Sequence, residues 1–233
     1  MSETKADPRL ITALDLPSTR DATAMVESIG SACRFYKIGL QLLPIGGMEL
    51  AKALKDDGHD VFLDFKLHDI PATVEKATRS IAEANVGDFL TVHAEPPVMD
   101  AAVAGKSDHG LAILGVTVLT AYDDAMLKEI GYAMTARDLV MRRVDQAVNS
   151  GVDGVVASPL EAAEIRARVP DDFLIVTPGV RPAGSDIGDQ KRIATPRAAI
   201  EAGASHLVVG RPITASPIPA DAARAIAAEI SAV

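Results

Sequence analysis

Leu10-Ile11-Thr12-Ala13-Leu14-Asp15-Leu16-Pro17 is the stretch whose reading decides the fold. Its first five residues are a short apolar run, the pattern of a strand buried on both faces. An open, doubly wound sheet built for a dinucleotide would follow that strand with a Gly-x-Gly-x-x-Gly turn. Here the chain continues Asp15-Leu16-Pro17, with no such glycines.

Seven further runs of the same kind follow, at 35–39, 61–64, 89–93, 111–117, 154–157, 173–177 and 206–209. Between them, 18–29, 50–54, 73–84, 137–149 and 160–168 place apolar residues at helical spacing. Ser18 opens the first of these as an N-cap type. Asn85 with Gly87, and Ser150 with Gly151, read as helix stops. Strands alternating with helices predict a parallel sheet, and eight strands predict closure into a (β/α)8 TIM barrel. Such barrels run to about 250 residues, so the 233 residues present fit one barrel domain over 1–233. The stretch 105–110 reads as a plain turn. The Pro- and Gly-rich segment 178–196 is too long for an ordinary turn and reads as a functional loop that closes over a ligand.

The bulk composition narrows the function. Hydrophobic residues make up 48% and aromatics only 3%, with no Trp, which predicts an aliphatic, Ala-rich core. The net charge of −9, with no offsetting basic cluster, argues against nucleic acid as a partner. An acidic protein still takes an anionic substrate when its site is locally basic. Cys33 is the single cysteine, which fits a reducing cytoplasm and excludes an intrachain disulfide. No run approaches a membrane span.

Barrel enzymes carry their chemistry at the C-terminal ends of the strands. Asp15, Lys37, Asp64, Lys66, His93, Thr120, Arg181, Gly210 and Arg211 all fall at or just past such ends. The densest group is Asp64-Phe65-Lys66-Leu67-His68-Asp69-Ile70-Pro71. Alternation along a strand points Asp64 and Lys66 the same way, and Lys37 on the neighbouring strand reaches the same place. Asp69 lies on the loop, where it serves this site or another subunit's. As structure alone the group is an ion-pair network closing the barrel top, but charge concentrated at a barrel mouth usually has a use. A second group, Gly210-Arg211-Pro212 with Arg181 and Gln190, supplies a backbone N–H, guanidinium groups and an amide suited to a phosphate. His59, His109 and His206 read as surface or strand-edge residues. His68 reads as orienting loop groups, and His93 as either pocket lining or structural. Cys33 reads as a small buried residue.

Taken together, these segments resemble the bacterial orotidine 5′-phosphate decarboxylases over essentially the whole chain. The resemblance rests on Ala13-Leu14-Asp15, Tyr36-Lys37-Ile38-Gly39, the Asp64 to Pro71 group, Val116-Thr117-Val118-Leu119-Thr120, Thr177-Pro178-Gly179-Val180-Arg181-Pro182, Gly188-Asp189-Gln190-Lys191-Arg192 and Val209-Gly210-Arg211-Pro212-Ile213. The D-x-K-x-x-D core alone is shared with sugar-phosphate relatives. Joined to the other segments at barrel spacing, it is specific.

The resemblance implies conversion of orotidine 5′-phosphate to UMP and CO2, with no metal or organic cofactor, by a homodimer with shared sites. It implies that Lys66 protonates C6 and that Lys37, Asp64 and Asp69 complete the charged network, Asp69 in the partner's site. Asp15 and Lys37 would contact the ribose, Thr73 would end the substrate-binding stretch begun by Asp64, and Thr120 would lie near the pyrimidine. Arg181, Gln190, Gly210 and Arg211 would grip the phosphate. Three rivals stand beside this reading: a Mg2+-dependent sugar-phosphate decarboxylase or aldolase of the same superfamily, a Schiff-base aldolase, and a non-catalytic nucleotide-binding barrel. Lys37 stands where the Mg2+-dependent relatives place a carboxylate, and it would repel the metal. The carboxylates beside Lys37 and Lys66 would keep both protonated, against a Schiff base.

Overall fold

The computed structural model describes residues 6–181 and 194–233. Eight strands form a closed, wholly parallel barrel in sequence order: β1 (Leu10–Ala13), β2 (Phe35–Gly39), β3 (Asp60–Leu67), β4 (Phe89–His93), β5 (Ala112–Val116), β6 (Gly154–Val156), β7 (Leu174–Thr177) and β8 (His206–Val209). The register closes where β8 pairs with β1, Leu207 against Leu10. Seven strands match the apolar runs to within a residue at either end. β3 is the exception and runs on to Leu67. The charged Asp64 and Lys66 break the apolar run there, so hydrophobicity does not show that the strand continues through Phe65 to Leu67.

Helices surround the barrel: α1 (Thr19–Ile29), α2 (Gly47–Asp56), α3 (Pro71–Ala84), α4 (Pro96–Lys106), α5 (Asp124–Glu129), α6 (Ala136–Ser150), α7 (Ala162–Arg166), α8 (Pro196–Glu201), α9 (Arg211–Thr214) and α10 (Pro219–Ser231). Ser18 caps α1 by accepting from the Asp21 amide. Asn85 and Gly151 end α3 and α6 in the left-handed conformation. The stretch 105–110 is not simply a turn, because Gly105 belongs to the last turn of α4. A Cβ there would collide with the Glu75 carbonyl oxygen of α3. This glycine therefore marks close approach of two helices, and it does not mark a chain reversal. Among the described residues, no helix is long and apolar enough to cross a membrane.

The core has two parts. Between sheet and helices it is aliphatic and alanine-rich, as the composition predicts. Inside the barrel it is not: three of the chain's five phenylalanines, Phe35, Phe62 and Phe89, fill the interior with Ile11, Ala13, Leu114, Val176 and Val208. His206 joins them. It lies at the barrel floor rather than at the surface, its ring edge-on to Phe89 at 5.1 Å and to Phe35 at 5.9 Å. Burial lowers its pKa to about 4, so it stays neutral there. The other histidines follow expectation more closely: His109 is exposed, and His59 lies against the Tyr36 ring at 5.1 Å. Cys33 is buried, and burial pushes its thiol pKa up, away from reactivity.

Ion pairs occur at both ends of the barrel, with different work. At the N-terminal end the carboxylates of Asp88 and Asp153 accept from the Val61 and Ile113 amides, each at 2.7 Å, and pair with Lys55 and Lys106. They satisfy the N–H groups of the second residues of β3 and β5, a structural task. At the C-terminal end the charged side chains face a cavity.

Candidate active site

The inward face that holds Phe35 and Phe62 carries Lys37 and Asp64 two residues further along β2 and β3. Alternation along the strands brings both to the mouth. Lys37 is buried, and its ammonium lies 2.9 Å from Asp15 and 3.5 Å from Asp64. Lys66 lies 2.7 Å from the other oxygen of Asp64. Asp64 thus stands between two ammonium groups. Burial alone would raise its pKa, but Lys37 and Lys66, with hydrogen bonds from Lys66 and Thr91, bring it below the usual carboxylate value. It is ionised at any physiological pH.

Lys66 reaches this position by an unexpected route. Its φ is +50°, left-handed for a residue with a side chain. The β3–β4 register slips at the same point, from Leu63 opposite Leu90 to Leu67 opposite Val92. The expectation that Asp64 and Lys66 converge is right in outcome, but the device is a bulge, not simple alternation.

Two adjoining cavities open on these charges. One, about 410 Å³, is lined by Asp15, Lys37 and Asp64 on one side and by Gly179, Arg181, Gly210 and Arg211 on the other. The second, about 170 Å³, is mainly apolar, with Phe62, Val116, Val118 and Val156 around Lys66 and Thr120. Lys37, Asp64, Pro178 and Val208 line both. The site therefore has a basic end and an apolar end with the charged group at their junction.

Of the residues singled out from sequence, Asp15, Lys37, Asp64, Lys66, Thr120, Arg181, Gly210 and Arg211 come together around these cavities. Arg181 is buried and donates to the Val180 carbonyl, whereas Arg211 is exposed. Gln190 lies outside the described residues, as does most of the segment 178–196. Asp69 and Thr73 are exposed and line neither cavity. The Asp69 carboxylate turns back to accept from the Ile70 amide at 2.6 Å and makes no ion pair with Lys66. His93 lines a third cavity, of about 200 Å³, stacked on His68 at 4.5 Å, and His68 in turn meets Glu95 at 3.1 Å.

Two contributors escape a reading of the sequence. Gly39 leaves the room that the lysine pair needs: a Cβ would sit 2.9 Å from both the Lys37 ammonium and the Asp15 carboxylate. Its place two residues after Lys37 is the only sign of this. Thr91 is a lone hydroxyl inside the apolar run of β4, and nothing in its sequence context marks it.

With this geometry in place, comparison with known proteins identifies the family. Residues 8–226 match the model of the orotidine 5′-phosphate decarboxylase / HUMPS family. The chain belongs to that family. A relative from Caulobacter sp. (strain K31), an orotidine 5′-phosphate decarboxylase, is 58% identical over 226 residues, covering 97% of this chain and 98% of its own. One from Bradyrhizobium sp. (strain ORS 278), of the same name, is 54% identical over 223 residues, covering 96% and 91%. The crystal structure of orotidine 5′-phosphate decarboxylase from Lactobacillus acidophilus superposes with a TM-score of 0.83 at 35% identity, covering 96% of this chain and 99% of that one. All three of these relatives carry the decarboxylase name.

Proposed function

We propose that Lys66 is the acid of this decarboxylase, giving its proton to C6 of the pyrimidine as CO2 departs. The overall activity, orotidine 5′-phosphate to UMP and CO2 in pyrimidine nucleotide synthesis, follows from family membership and from the identity to relatives of that name. The observation that carries the mechanistic reading is the row Asp15, Lys37, Asp64, Lys66 at the junction of a basic and an apolar cavity. A nucleotide has the matching shape: a phosphate for Arg181 and Arg211, a ribose for Asp15 and Lys37, a ring for the apolar end beside Thr120.

The C6–carboxylate bond breaks with its electron pair left on C6. That pair takes a proton from the Lys66 ammonium, and the neutral amine recovers one from water after product leaves. The pyrimidine delocalises such a carbanion poorly, so charge already in place must stabilise it. Asp64 beside the substrate carboxylate adds repulsion. Two unit charges about 4 Å apart repel by roughly 4 kcal/mol at an effective dielectric near 20. Flanking ammonium groups at 2.7 and 3.5 Å reduce that further. Strong catalysts gain up to roughly 23 kcal/mol, so the larger share falls to Lys66.

The assay is the loss of orotidine 5′-phosphate absorbance in excess chelator. Turnover that persists supports the reading. Activity lost with the chelator and restored by Mg2+ would hand the site to the metal-dependent relatives.

The active unit in this reading is a homodimer in the cytoplasm, with Asp69 reaching the partner's site. The exposure of Asp69 and Ile70 and the separation of Asp69 from its own cavities support it. Mixing Lys66→Ala with Asp69→Ala subunits tests it. If Asp69 serves the partner, a hybrid dimer has one intact site and turnover returns. If it serves its own subunit, both sites stay defective and the mixture stays silent.

A further inference from the structure

We propose that Thr91 is a positioning residue, whose hydroxyl sets the geometry of Lys66 and Asp64 without touching substrate. This rests on the assignment of those two residues to the chemistry.

The starting point is the slip between β3 and β4. Leu63 pairs with Leu90 and Leu67 with Val92, so Asp64, Phe65 and Lys66 all oppose the single residue Thr91. A bulge of this kind leaves backbone groups without ladder partners, and an unpaired buried N–H is costly. The Lys66 amide is such a group. The Thr91 hydroxyl oxygen accepts from it at 2.9 Å. The same hydroxyl donates its one proton to Oδ1 of Asp64 at 3.0 Å. That oxygen also receives the Lys66 ammonium at 2.7 Å. The lysine backbone, the carboxylate and the ammonium therefore form a closed loop of contacts through one hydroxyl.

Two further features make the arrangement specific. Thr91 is completely buried, so water cannot stand in for the hydroxyl. A β-branched side chain in a strand has few χ1 choices, so its oxygen is held in direction. The left-handed backbone of Lys66 is sparsely populated for residues other than glycine and needs support from its surroundings. Thr91 supplies that support at the residue whose side chain must meet C6. Of the polar contacts made by β4, this is the one that reaches both members of the pair.

A purely structural hydroxyl would satisfy the bulge and affect folding alone. Thr91→Ser and Thr91→Ala separate the two roles, because they leave nearly the same space and differ by the hydroxyl. The measurements are the single-turnover rate on orotidine 5′-phosphate and the affinity for UMP. Thr91→Ser should keep its single-turnover rate within about threefold of the natural protein, and Thr91→Ala should fall about ten- to a hundredfold below it, the scale of one lost buried hydrogen bond to a charged group. UMP affinity should hold in both, because UMP lacks the group at C6. Equal rates for the two variants overturn the proposal, and so does a rate that falls only in step with UMP affinity. If Thr91→Ala does not fold, Thr91→Val keeps the volume and is read against Thr91→Ser in the same way. Lys66→Ala serves as the control. Turnover surviving there removes the acid assignment itself, whereas a silent Lys66→Ala beside a fully active Thr91→Ala removes only the positioning role.

Discussion

Lys66→Ala is expected to lower turnover of orotidine 5′-phosphate by at least about 10⁴-fold, or some 5 kcal/mol, while UMP still binds. Two losses combine in this variant. The carbanion loses the cation at 2.7 Å from Asp64, and C6 loses its proton source. Binding should survive because the basic end of the site is untouched, and because Lys37 remains 3.5 Å from Asp64 to balance its charge. Isothermal titration with UMP and a single-turnover assay read the two quantities separately. Measurable turnover near the natural rate would show that another group delivers the proton. The backbone gives a second readout. At φ +50° an alanine bears the same strain as the lysine, whereas glycine does not. Lys66→Gly should therefore be more stable than Lys66→Ala by about 1 kcal/mol, with both inactive. Equal stability would mean that the bulge carries no stored strain.

The bulge also marks the limit of what the chain discloses by itself. Eight apolar runs and the missing glycine fingerprint after Ala13 suffice for the barrel, because strand burial is written directly into hydrophobicity. The placement of Lys37 and Asp64 follows from alternation along β2 and β3. The slip at Lys66 does not, since it depends on how many residues of β4 stand opposite, and no local pattern encodes a register between strands. α4 is hidden for a related reason. Val98, Met99, Ala101, Ala102 and Gly105 are buried on one face, but Pro97, Val103 and Ala104 make the rest of the helix apolar too, so the sequence shows no amphipathic period, and Gly105 imitates a turn. His206 misleads because its ring partners, Phe35 and Phe89, come from strands far away in sequence. Asp69 and Thr73 are conspicuous only by motif. Neither lines either of the two cavities.

Arg211→Ala carries the second large effect: kcat/KM lower by about 2–4 kcal/mol, roughly 30- to 1,000-fold, with the fold intact. Arg211 is exposed and lines the basic end of the larger cavity at the start of α9. Removing an exposed side chain costs little stability, so Tm should change by no more than a few degrees. Arg181 lines the same cavity but is buried and tied to the Val180 carbonyl, so its truncation would confuse packing with binding. Arg211 is therefore the cleaner probe of the phosphate end. Gly210 beside it fits the same purpose: a Cβ would meet only Ala13, at 3.7 Å, so the chain's own packing does not demand glycine there. The open backbone then favours close approach by a ligand. The decisive comparison uses orotidine, which has the ring and ribose but no phosphate. If Arg211 acts through the phosphate, its removal should leave the slow reaction of orotidine unchanged and penalise only the nucleotide. A loss of equal size on both substrates would mean that Arg211 shapes the site as a whole and that the phosphate is held elsewhere. Binding energy gathered at the phosphate helps the chemistry only if it is used to order the distant charges. The split between kcat and KM in Arg211→Ala then tells which it does. A rise in KM alone means simple anchoring. A fall in kcat means that the phosphate end helps to set Lys37, Asp64 and Lys66 in place.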